Sequence, residues 1–113
     1  MIEVISNHLI KQKDIHAAYL FGSFDFEGSF SDIDLCILVY EKVPNLFLFE
    51  MDLESDIEGL MKYNGNARLL NNAPITFCQS VIRTGKIIHD IDPDLRAEFK
   101  NNILKKYFDS SIF

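Results

Sequence analysis

An α+β domain, in which a small mixed sheet is flanked by helices, is predicted by three features of the sequence. Two runs rich in β-formers, IHAAYLF at 15–21 and IDLCILVY at 33–40, are short and apolar and read as buried strands. Around them, apolar residues recur at helical spacing in four further stretches. A length of 113 residues suits a single domain spanning 1–113, with one compact core.

The elements follow in order. Ile2, Ile5 and Leu9 predict a first helix of about a dozen residues, ending before Asp14. The two apolar strands come next, separated by FDFEGSFS. After Pro44, the set Leu46, Phe49, Leu53, Ile57, Leu60 and Met61 marks an amphipathic helix, with Glu50, Glu54 and Glu58 on the opposite side and Asn64-Gly65 as its stop. ARLLN at 67–71 reads as a short strand. Asn72 is the expected N-cap of a third helix, with Pro74 in its first turn, Ile75, Cys78 and Ile82 along one face, and Gly85 at its end. KIIHD adds an edge strand, and Asp92-Pro93 starts a last helix carrying the stripe Leu95, Phe99, Ile103 and Tyr107.

Composition narrows the function. Seventeen acids against eleven bases give a formal net charge of -6, which argues against nucleic acid as the main partner. No apolar run approaches the roughly 18 residues of a membrane span, so no membrane partner is expected. MIEVISNHLIKQKD carries no basic leader before an apolar block, and Cys36 and Cys78 sit in apolar patterns as core thiols. A reducing cytoplasm is the expected compartment. His8, His16 and His89 lack metal-ligand spacing and read as surface or strand-end residues.

The chemistry concentrates in LFGSFDFEGSFSDIDLCILV, 20–39. Strand alternation places Asp32 and Asp34 on one face and Ile33, Leu35, Ile37 and Val39 on the other. Adjacent carboxylates repel, and a divalent cation turns that cost into a binding site; Mg²⁺ takes one or two carboxylates and completes its shell with water and phosphate oxygens. Gly22-Ser23, just after the preceding strand, offers backbone N–H groups and a hydroxyl to a phosphate. Each feature alone is a common turn. Together they converge phosphate donors and metal carboxylates at one sheet end.

In this combination the sequence resembles the nucleotidyltransferase superfamily that includes DNA polymerase β. Phe21-Gly22-Ser23 and Asp32-Ile33-Asp34-Leu35 match its pattern, and the wider chain looks like the minimal nucleotidyltransferases, the antitoxin-type partners of HEPN ribonucleases. The likeness runs through Leu70-Asn71-Asn72-Ala73-Pro74 to the closing segment with Arg96, Phe99, Tyr107 and Asp109. It implies nucleotidyl transfer from ATP with two Mg²⁺ ions. Asp32 and Asp34 would be the metal ligands, and Gly22 and Ser23 would hold the β- and γ-phosphates. The chain ends before an acceptor domain could form, so an acceptor delivered by another protein is expected.

Two departures from the pattern matter. The eight-residue spacer carries Asp25 and Glu27, where relatives place a basic residue. The superfamily's third carboxylate, which binds metal and accepts the proton of the attacking hydroxyl, aligns with Asn66, a weaker Mg²⁺ ligand and no base near neutral pH. Arg68 would share the face of Asn66, open either to phosphate or to a salt bridge. Phe24, Phe26, Phe30, Phe108 and Phe113 read as a cluster under the loop and a partner-facing tail.

Two functions follow. The first is an enzyme that places AMP on a hydroxyl, expected to be a tyrosine, of a cognate HEPN toxin and silences it, with catalysis impaired by Asn66. The second is an antitoxin of the same fold that acts by contact alone. Association of the chain with itself stays open beside either.

Overall fold

The computed structural model describes residues 2–23, 32–61 and 66–111. Among them the chain forms α1 (Ile2–Ile10), β1 (Ile15–Ser23), β2 (Asp32–Val39), α2 (Leu46–Met61), β3 (Asn66–Leu69), a 3-10 turn (Leu70–Asn72), α3 (Ile75–Thr84), β4 (Lys86–Asp90) and α4 (Pro93–Ser111). The strands make one mixed sheet in the order β3-β2-β1-β4, antiparallel at β2-β1 and β1-β4 and parallel at β2-β3. The expected α+β class is what is found. The Asn64-Gly65 stop and the spacer residues 24–31 lie outside the described residues, as does Phe113.

Helices cover both faces, so the sheet divides the expected single core in two. On one face Ile5 and Leu9 of α1 and Leu53 of α2 bury Ile15, Ala18, Leu20, Leu35, Ile37 and Val39. On the other, Cys78 and Val81 of α3 and Ile103 of α4 bury Ala17, Tyr19, Cys36 and Leu38. This two-sided burial explains why both strands read as nearly continuous apolar runs rather than as alternating ones.

Strict alternation in β1 would place Ile15 with Ala17 and Tyr19. Instead the register shifts between Ile15 and Ala17, leaving His16 as an extra residue. The bulge turns Ile15 onto the α1 face and tucks His16, 3% exposed, against Tyr40, with ring centroids 5.0 Å apart. His89, at 8%, is also buried, and His8 is half-buried 3.6 Å from the Asp56 carboxylate. His16 and His89 thus lie at strand ends, as one of the two expected placements had it, but neither is on the surface; the bulge that helps to bury His16 is not visible as periodicity.

Helix ends also differ from the expectation. α3 takes its N-cap at Pro74 rather than Asn72, because Asn72 closes the 3-10 turn in which Ala73 N–H donates to Leu70 O at 3.3 Å. The residue before a proline is held extended, as Ala73 is (φ -79, ψ 157), so a helix cannot begin upstream of it. Gly85 is the C-cap of α3, and no side chain fits there: an added Cβ would lie 2.5 Å from Val81 O. At α4, Asp92 Oδ1 accepts the Leu95 N–H at 3.3 Å, the expected cap. Glu50 is not on a solvated side, since its Oε2 accepts the Leu69 N–H at 3.2 Å on the open edge of β3.

Three side chains lock the sheet to its surroundings. The strand expected through 71 stops at Leu69, and Asn71 replaces main chain with its amide: Nδ2 donates to Val39 O and Oδ1 accepts from Val39 N, both at 2.9 Å. Arg96 Nε donates to Asp90 Oδ2 at 2.9 Å, tying α4 to β4. Cys78 Sγ, buried, reaches Leu70 O at 3.4 Å, so both thiols fill the core as expected. No helix among the described residues is long and apolar enough to cross a membrane.

Replacing Asn71 by Ala leaves both Val39 groups unpaired. It is expected to lower stability by about 2 kcal/mol, read as a shift of the urea midpoint at unchanged slope. Burial lowers the His16 pKa from 6.5, against the opposing pull of Asp92 and Asp90 and with a small contribution from His89. Sign follows from the linkage: below the unfolded value the unfolded chain binds a proton that the folded chain refuses. Stability is therefore expected to hold above the usual imidazole range and to fall as pH drops through it. His16→Asn should flatten that fall in a series of thermal melts from pH 8 to 5.

Candidate functional site

Sheet topology brings the sequence-predicted residues to one end of the molecule, where β1 finishes and β2 and β3 begin. Across the ladder, Ser23 stands opposite Asp32, Gly22 opposite Ile33 and Phe21 opposite Asp34. The parallel register then sets Asn66 beside Asp34. Directly paired residues share a face, so Phe21, Asp34 and Asn66 form a row across three strands, and Tyr19, Cys36 and Arg68 form the row behind it. For Ser23 and Asp32 the description extends to the strand backbone.

Gly22 has φ 134, a conformation that residues with a Cβ rarely adopt. It is exposed near the end of β1, opposite Ile33 in the ladder, where the missing side chain leaves room for an anion to approach the backbone. Asp34 is half-buried, and behind it Cys36 is fully buried. Burial first, then the Asp34 charge, pushes the Cys36 thiol up to about 12, while the Arg68 charge opposes the shift. The thiol stays protonated and serves as packing, not as a nucleophile.

The rim of this face comes from residues that periodicity did not single out. Phe77, one turn into α3, meets the Phe21 ring edge-on, with centroids 5.6 Å apart at 83°. Arg68 Cζ lies 5.2 Å from the Phe77 centroid on the other side of the row. Phe77 falls between the core positions Ile75 and Cys78, so its signal was an aromatic off the stripe. Along the open edge of β3 runs a cavity of 320 Å³ lined by Glu50, Glu54, Asn66, Arg68, Asn72 and Pro74. It joins the edge strand to the row that holds Asp34.

The closing segment of the resemblance has structural duties: Arg96 anchors α4, Phe99 packs on the core and Tyr107 stacks edgewise on Phe108 at 6.0 Å.

Among the described side chains the arrangement offers the Asp34 carboxylate and the Asn66 amide, two oxygen donors of the hard kind that Mg²⁺ takes, near the exposed Gly22 and with Arg68 in the row behind. A search of curated proteins finds no match. The fold is that of solved toxin–antitoxin complexes. This chain superimposes at TM-score 0.75 and 21% identity on a chain of the tri-AMPylated Shewanella oneidensis HEPN toxin in complex with MNT antitoxin, with 99% of this chain and 91% of that chain covered. It aligns at 0.74 and 20% with the toxin–antitoxin MntA–HepT, covering 97% and 90%, and at 0.75 and 22% with a toxin–antitoxin complex containing AMP-PNP, covering 95% and 90%. The model of the family described as "Polymerase beta, Nucleotidyltransferase" matches residues 3–94, the span that runs from α1 through Gly22-Ser23 and both aspartates to the first turn of α4. With most of its length inside that match, this chain belongs to the polymerase beta nucleotidyltransferase family.

Proposed function

We propose that this protein is a Mg²⁺-dependent nucleotidyltransferase that moves AMP from ATP onto a hydroxyl of a HEPN-type toxin, a tyrosine by expectation, and so acts as its antitoxin. The observation that supports this best is the convergence of the positive-φ Gly22 with the row through Asp34. Family membership sets the reaction class. Among the solved complexes of the same fold, one holds a tri-AMPylated HEPN toxin and another holds AMP-PNP, which supports ATP as donor and a toxin as acceptor.

In this reading Gly22 N–H and Ser23 hold the β- and γ-phosphates at the end of β1, with backbone dipoles as the attractive element. The oxygen donors at 32, 34 and 66 fit Mg²⁺ rather than a softer metal, and Cys36 does not compete because its thiol is buried and protonated. Asp32 and Asp34 would hold the ions, two in the arrangement the family implies, and these supply neutralisation of the triphosphate and of the departing pyrophosphate. Asn66 contributes a neutral amide beside Asp34 and accepts no proton from the acceptor hydroxyl. Transfer is then slow compared with a site carrying a base there. The two buried free thiols are compatible with a reducing cytoplasm.

That same neighbour relation of Asn66 and Asp34 favours a second reading, an antitoxin that neutralises by contact alone. Incubation with labelled ATP, Mg²⁺ and the product of the neighbouring gene, as the candidate toxin, separates the two. The first reading expects a mass increase of AMP on the toxin, and Asp34→Ala should cut transfer at least roughly 100-fold. Undiminished neutralisation by Asp34→Ala, with no AMP found on the toxin, selects contact alone. Asn66→Asp is expected to raise the transfer rate by roughly tenfold or more, the scale of a positioned base. A rate left unchanged would mean that position 66 has no part in taking the proton.

A further inference from the structure

Arg68 has no role in the reaction as drawn above, yet three observations give it one. It pairs with Cys36 in the parallel register, so it shares the face of Asp34 and Asn66 and stands about 7 Å along the strand from Asn66. Its guanidinium is held over the Phe77 ring at 5.2 Å, and Phe77 is itself braced by Phe21, the residue opposite Asp34. Although Glu50 and Glu54 line the same cavity, Arg68 forms no ion pair with a carboxylate among the described residues. The side chain is exposed.

A guanidinium resting on an aromatic face keeps its N–H fork directed outward and loses little rotamer freedom when an anion arrives. Such a fork matches phosphate bidentately. The charge pattern calls for a cation here. A triphosphate brings several negative charges to a sheet end that already presents Asp32 and Asp34, in a chain of net charge -6. The strand beside Asp34 adds an amide and a guanidinium at 66 and 68, and no carboxylate.

We propose that Arg68 is a phosphate-binding residue of this site, gripping the β- or γ-phosphate of the bound nucleoside triphosphate, with Phe77 as the residue that positions it. The proposal rests on the nucleotidyl-transfer reading and adds to it a cation supplied by the protein itself. Phe77 acts through Arg68 and touches no phosphate.

Calorimetric titration with a non-hydrolysable ATP analogue and with AMP, each with Mg²⁺, tests it on the wild type, Arg68→Gln, Arg68→Lys, Phe77→Tyr and Phe77→Leu. Arg68→Gln is expected to weaken the ATP analogue by roughly tenfold or more while leaving AMP nearly unchanged, the scale of one charge-assisted contact to an anion. Arg68→Lys should recover part of the loss, and Phe77→Tyr should bind as the wild type does. Phe77→Leu should reproduce the Arg68→Gln pattern in milder form. Equal affinity of wild type and Arg68→Gln for the ATP analogue overturns the proposal, as does a matching loss for AMP. A wild type that binds neither nucleotide overturns the nucleotidyl-transfer reading and this proposal with it. If Arg68→Gln instead weakens only the toxin complex, the guanidinium serves docking and the phosphate assignment fails.

Discussion

Backbone hydrogen bonding between β1 and β2, from Ile15 opposite Val39 to Ser23 opposite Asp32, sets the other spatial relations of the molecule. It brings Gly22-Ser23 and the Asp-Ile-Asp segment together although eight residues separate Ser23 from Asp32 in the chain. A slip of one residue would exchange the faces, sending Asp34 into the core lined by α1 and α2 and exposing Leu35. Both faces of the pair are packed, so the cost of that slip would be large. The register is thus held by burial on both sides, and the position of the carboxylates follows from it.

The strands flanking this central pair are tied in by side chains more than by long ladders. β3 has four residues and one sheet neighbour. Asn71 extends the strand's role past its end by bonding both main-chain groups of Val39, and Glu50 of α2 covers the Leu69 N–H on the open edge. A carboxylate inserted at an edge also discourages pairing with another chain. At the opposite border, Arg96 and Asp90 join β4 to α4, with both side chains 21% exposed, enough burial for the pair to hold its geometry. These devices keep Asn66 and Arg68 beside Asp34 with few main-chain bonds.

Electrostatics divides the α3/α4 face into two ends with different tasks. Near the site, Asp34 and Arg68 sit in adjacent rows with Cys36 between them, and the Phe21–Phe77 contact forms an apolar rim that directs the guanidinium. At the far end, His16, Tyr40, Asn71 and Phe99 line a larger cavity of 410 Å³. The buried Nδ1 of His16 has no partner among the described side chains there. That end answers to pH through desolvation of an imidazole. The near end instead holds a cation, Arg68, on the ring of Phe77.

Much of this was legible in the sequence because it depends on local pattern. The two apolar runs, the amphipathic stripes, the Asp92 cap and the Gly-Ser and Asp-Ile-Asp segments each obey a short-range rule of period, turn or cap, and those rules place Asp32 and Asp34 on one face without any tertiary information. What only the folded structure decided is whatever depends on residues distant in the chain: the bulge that buries His16, the split of the core by a sheet covered on both sides, the use of Glu50 and Asn71 in place of main chain, and the bracing of Arg68 by Phe77. Pairing across strands and the sharing of cavities are not periodic, so no window of sequence encodes them. They emerge when burial and hydrogen-bond satisfaction are met for the whole chain at once.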